Sequence, residues 1–170
     1  DAYEKVPHFL GAIKSAAHWA SFLVRQGQID AHSSVQIGMR GNPRTLDWLA
    51  PSTELGYEVI TMERYRSLGM SETIKIILDR IGDVPLYITF DLDCMDPTVA
   101  PGVANIEAGV QGFQIDEVLE LLRCVRGRNI IGGDVVCMMP TKDAPNQITA
   151  HTASAVMFEI ISLIADYLKG

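Results

Sequence analysis

Apolar positions recur along this chain at two periods, and the two kinds of segment alternate. "KSAAHWASFLVRQG" (14–27) spaces Ala, Trp, Phe, Leu and Val as one helix face does and stops on Gly27. "SVQIGM" (34–39) and "GYEVITM" (56–62) are short, apolar and β-branched, and predict strands. "SETIKIILDRIG" (71–82) opens on Ser71, places Ile74, Ile77 and Leu78 on one face and closes on glycine, which predicts a helix. "PLYITFD" (85–91) is apolar without alternation and predicts a strand covered on both faces. "QIDEVLELLRCVRG" (114–127) predicts an amphipathic helix, "NIIGGDVVCM" (129–138) a strand, and "TAHTASAVMFEIISLIADYLKG" (149–170) a long apolar helix.

Strands alternating with helices imply right-handed crossovers and a mainly parallel sheet covered by helices, an α/β class of fold. Such sheets collect ligands at the carboxyl ends of their strands. No internal repeat, low-complexity tract or linker divides the chain, and its 170 residues are expected to form a single domain. At 48% hydrophobic and 21% charged, the composition excludes a disordered chain. A net charge of -7 argues against nucleic acid or an anionic membrane as partner, and suits a cationic substrate or a metal. No segment is expected to span a bilayer. Cys94, Cys124 and Cys137 are widely spaced and odd in number, which predicts free thiols in a reducing, cytoplasmic setting.

One stretch calls for chemistry. "LYITFDLDCMDPTVAPG" (86–102) runs from an apolar strand into Asp91, Asp93 and Asp96, with no basic residue among them. Strand alternation would point Asp91 and Asp93 the same way, with Leu92 turned into the packing. Two same-side carboxylates repel unless protonated or bridged by a cation. Spacing alone leaves two readings open, a solvated Asp-Pro turn and a hard divalent cation site. The "DPTVAPG" that follows is turn chemistry, in which proline and glycine hold a stiff loop over the strand ends.

"YITFDLDCMDPTVAPG" resembles the signature of the ureohydrolase family of arginases, agmatinases and guanidino-acid hydrolases, agmatinases above all. "GQIDAHSSVQIGMRG" (27–41) resembles the family's helix end, connector and next strand, and "GGDVVCMMPTKDAPNQITAHTASAVMFEII" its last strand and final helix. The resemblance implies a three-layer α/β/α sandwich around a mainly parallel sheet. It also implies that these residues correspond to the C-terminal portion of a longer domain. The implied activity is manganese-dependent hydrolysis of a guanidino compound to urea and an amine, at a centre of two Mn²⁺ ions. A small guanidino substrate and a trimeric or hexameric homo-oligomer are the implied partners.

Carried over by motif, Asp91 and Asp93 fall on paired metal ligands, and Asp96 on a loop aspartate that supports the loop. Asp1 falls on the last aspartate of an Asp-Ala-His-x-Asp ligand motif, whose earlier residues would lie upstream. Asp30, Ala31 and His32 spell the start of that motif, but they follow a helix end and precede a strand, and Ser34 stands where its final ligand belongs. They are expected to form a surface connector. His18 falls on a histidine that lies beside the substrate and moves protons, with Trp19 replacing the family's glycine and Phe22 keeping its phenylalanine. Read without the resemblance, a histidine among Ala, Trp and Phe is a core residue. His8 and His151 are expected in surface or capping roles.

Cys137 departs from the family, which carries a glutamate there to contact the guanidinium. A neutral thiol cannot form that bidentate, charge-assisted pair. Glu107, Asp143 or Cys137 itself are the candidates for the substrate contact. Two other classes remain: a catalytically silent relative serving as an assembly partner, and an unrelated Mg²⁺-binding receiver-like module using Lys142.

Overall fold

The computed structural model describes residues 14–42, 46–107, 109 and 111–169. The strands are β1 (Val35–Met39), β2 (Glu58–Thr61), β3 (Leu86–Asp91) and β4 (Ile130–Val136). The helices are α1 (Trp19–Arg25), α2 (Ala50–Leu55), α3 (Met62–Ile81), α4 (Ile115–Arg123) and α5 (Ile148–Lys169). All strand pairing is parallel, as the alternation predicts, but among the described residues it forms two ladders, β1–β2 and β3–β4. The ladders share one hydrophobic core, in which Ile60, Met62, Leu92, Phe113 and Ile160 are buried. Each such side chain contributes about 1.5–3 kcal/mol by leaving water.

The pleat of β2 shows how the layers form. Ile60 enters the main core with Met62 and Tyr65 of α3, while its neighbour Val59 packs with Ala20 of α1 and Leu49 before α2. Helices therefore cover both faces of this strand. Gly38 of β1 is left-handed (φ 88), and a Cβ there would lie 2.6 Å from the Phe113 ring and 3.2 Å from the Cys94 Cβ. That close approach joins the first ladder to the end of β3.

The helix expected over 71–82 is the second half of α3. Thr61 caps the whole element, its hydroxyl accepting from the Arg64 amide at 3.2 Å, and Gly69 (φ 77, ψ 170) kinks it. The kink interrupts the apolar period, so the first half escapes a periodicity search. α4 begins in a reciprocal cap between Gln114 and Glu117. α5 buries Thr149, Thr152, Val156, Ile160 and Leu163, one face at helical spacing, and packs on β4 and α4.

Two expectations need correction. β3 was expected to be covered on both faces, yet Tyr87, Thr89 and Asp91 are exposed among the described residues. The Tyr87 and Thr89 hydroxyls both donate to Asp134 of β4, at 2.9 and 2.7 Å. The expectation that no segment could span a bilayer also fails: the 22-residue α5 is long and apolar enough by length and composition. Its buried stripe lies against the sheet, and Glu159 and Asp166 pair with Arg123 and Arg126. One face of α5 is thus packed on the fold, while Phe158, Ile161 and Leu168 on its other side are exposed among the described residues.

Candidate metal centre

β3 ends at Asp91, and the chain then makes a single 3₁₀ turn, Leu92–Cys94. Asp91 caps that turn, with Oδ1 accepting from the Asp93 amide at 2.9 Å. Leu92 is fully buried and anchors the turn to the core. The two carboxylates thus converge through a capped turn and not through strand alternation, because Asp93 already lies outside β3. The parallel register pairs Asp91 with Val136, so the residue after Val136 emerges beside them. That residue is Cys137, left-handed at φ 66, with its carbonyl held by the Ala104 amide at 3.0 Å. One ligand atom from each of Asp91, Asp93 and Cys137 lies within 4.8 Å of the others.

The electrostatics at this point favour a cation. Burial raises the Asp93 pKa and the like charges of Asp91 and Glu107 add to it, against hydrogen bonds from Asn105 that lower it. Burial, a hydrogen bond to Asp91 and the nearby carboxylates push the Cys137 thiol up to about 12. A divalent ion between these ligands would offset both the desolvation and the like-charge repulsion. Two hard oxygens and one sulfur within a few ångströms fit such an ion.

Asp96 holds the loop. It accepts from the Thr98 amide at 3.0 Å, the Thr98 hydroxyl at 2.6 Å and the Gly112 amide at 3.2 Å. The Thr98 hydroxyl first, then the amides, hold its carboxyl below the usual range. Arg40, at the end of β1, donates to the carbonyls of Met95 (2.9 Å) and Glu107 (2.5 Å), fixing both ends of the same loop. The Glu107 carboxylate lies against Gly41, close enough to Asp93 to act on its charge.

Asn105 was missed by the sequence reading. Its Nδ2 donates to Asp93 Oδ2 at 3.0 Å and its amide to Oδ1 at 3.3 Å. Nothing in "VANIEAG" singles it out; its role depends on the loop returning to the strand end. Asp143, a candidate for the substrate contact, is instead engaged by the amides of Ala144, Thr149 and Ala150 and caps α5. Lys142 donates to the Ala104 carbonyl at 3.2 Å, a loop anchor and not a partner of the aspartates.

His18 is 7% exposed, and its Nδ1 accepts from the Ser15 amide at 3.0 Å. It is not a member of the metal-capable cluster among the described residues. Asp30 caps the turn Ala31–Ser33, accepting from the His32 amide and the Ser33 hydroxyl, and the His32 ring lies against Gly56. Those contacts make the segment a connector. Asp1 and His8 lie outside the described residues.

The model of the Arginase family matches residues 7–162. The chain belongs to the arginase family. It is 35% identical to the guanidinopropionase of Pseudomonas aeruginosa over 143 residues, 84% of this chain and 44% of that protein. It is 34% identical to the agmatinase of Photorhabdus laumondii over 140 residues, 82% of this chain and 42% of that protein. The chain thus spans less than half the length of these curated relatives. Proclavaminate amidino hydrolase from Streptomyces clavuligerus superimposes with a TM-score of 0.84 at 30% identity, covering 98% of this chain and 54% of that one. Formiminoglutamase from Trypanosoma cruzi, solved with Mn²⁺, shares the fold at 14% identity with a TM-score of 0.75 over 95% of this chain and 52% of that one. Parallel strands between helices are therefore the arginase-like α/β architecture, and within it the Asp91 turn closes a strand end.

Proposed function

We propose that the protein is a manganese-dependent ureohydrolase that cleaves a small guanidino compound to urea and an amine. The observation carrying this reading is the convergence of Asp91 and Asp93 at the carboxyl end of a parallel strand in an arginase-family chain. Guanidino-acting relatives at about one-third identity support the substrate class, and the Mn²⁺ in a fold neighbour supports the metal.

Asp91 and Asp93 would hold divalent ions, with Asn105 orienting Asp93 and Asp96 stiffening the loop behind it. When bound, such ions supply Lewis acidity and make hydroxide available near neutral pH. Glu107, held on the same loop near Asp93, supplies the negative charge that a guanidinium carbon and its nitrogens seek. The departing nitrogen must be protonated, since an amine anion does not leave in water. His18, by its position in the family motif, would be the group that delivers this proton; its Nδ1 accepts from the Ser15 amide.

Asp91→Asn and Asp93→Asn in the full-length protein should each lose most bound Mn²⁺ and most urea release. Full metal content in both variants would overturn the reading. Cys137 in the glutamate position favours a second reading, a silent family member. Urea release that stays at background over a panel of guanidino compounds with Mn²⁺ bound would select it.

A further inference from the structure

We infer that Cys137 is itself a metal ligand, adding a thiolate to the Asp91/Asp93 pair and shifting the site towards softer divalent ions. This rests on the reading of the strand end as a metal centre. Three features place the sulfur there. The β3–β4 register delivers Cys137 to the same end of the sheet as Asp91. The Ala104 amide fixes its backbone, and the adjacent antiparallel bridge between Val103 and Met138 holds the segment against the loop that carries Asn105. The Cys137 sulfur lies within 4.8 Å of ligand oxygens on both aspartates.

Metal binding through this sulfur would exchange the S–H bond for a sulfur–metal bond and release one proton to solvent. Carboxylate oxygens suit Mn²⁺ and Mg²⁺, whereas a thiolate favours Zn²⁺ and Co²⁺ over either. The residue in the glutamate position thus sets metal preference as well as substrate contact. Cys94 and Cys124 do not join the cluster.

The experiment uses the full-length protein and Co²⁺ alone as probe. Bound metal is counted by equilibrium dialysis, and sulfur-to-cobalt charge transfer is followed by ultraviolet absorption. The wild type should develop the charge-transfer band in proportion to bound Co²⁺. Cys137→Ser should lose the band and bind Co²⁺ about 10-fold or more weaker. Cys137→Gly removes the thiol at a left-handed position where glycine is at ease, so loss of the band there cannot be assigned to misfolding. Cys137→Glu should narrow the advantage of Co²⁺ over Mn²⁺ relative to wild type. Co²⁺ bound without the band, or a band surviving in Cys137→Gly, overturns the inference. If Mn²⁺ binds and urea forms while no band develops, only the role of Cys137 fails; if neither metal binds, the proposed function fails with it.

Discussion

Replacing Asn105 by alanine removes one defined interaction from the site, the 3.0 Å bond from Nδ2 to Asp93 Oδ2, and leaves the backbone amide at 3.3 Å in place. A hydrogen bond to a charged acceptor contributes about 1.5–3 kcal/mol when buried. Asn105 is exposed and Asp93 half-buried, which screens the bond and brings the expected cost to about 1–2 kcal/mol. Since 1.4 kcal/mol is tenfold, Mn²⁺ affinity should fall by about 5- to 30-fold. The sign of the pH dependence follows from Asp93, whose pKa is already raised by burial and neighbouring charge. Losing the Asn105 bond raises it further, so protons compete better with metal as pH falls. The affinity deficit should therefore be larger at mildly acidic than at mildly alkaline pH. Titration calorimetry with Mn²⁺ on both proteins reads the effect, and thermal melting should show little change because Asn105 is exposed. An affinity within about twofold of wild type at both pH values would refute the claim that Asn105 positions Asp93.

Three further expectations concern stability. His18→Ala should lose about 1–2 kcal/mol by removing a buried ring and the acceptor of the Ser15 amide, and His18→Asn, which keeps an acceptor, should recover part of it in denaturant titrations. Burial opposes the charge of Glu117, but Arg66, the Gln114 amide and the Tyr65 hydroxyl outweigh it and hold its pKa below the usual glutamate range. That contribution is present above the unfolded pKa and is lost as pH falls through the folded one, so Arg66→Met should cost about 1 kcal/mol near neutrality and flatten the acid limb of the stability curve. Gly133→Ala places a Cβ 2.8 Å from both the Ile88 carbonyl and Ile160 Cγ2, and should lower stability by about 1–3 kcal/mol in chemical denaturation.

Much of this fold is written locally. The apolar runs of β3 and β4 stand out as short continuous apolar stretches, and the stripe of α5 because its burial repeats at the helical period. α2 does not, since "APSTEL" is short and half polar and takes its place by packing on α1 and β2. At the site, residue types were legible and geometry was not. Asp91 and Asp93 announce themselves by spacing, but their convergence is made by a capped turn. The approach of Cys137 depends on a register between strands far apart in sequence, and that of Asn105 on how a loop folds back. Asp143 looked like free charge until three amides of a helix start were seen to claim it.

Arg40 gives the two ladders a shared timescale. It leaves the end of β1 and grips both ends of the loop that carries Asp96 and Asn105. Any opening motion that separates β1 from β3 must first strip two carbonyls from one guanidinium. Fluctuations of the aspartate turn are thereby slaved to those of the first ladder, although the turn belongs by sequence to the second. In hydrogen exchange the Met95–Glu107 stretch should open together with β1, as one cooperative unit, and not with the strand from which it springs.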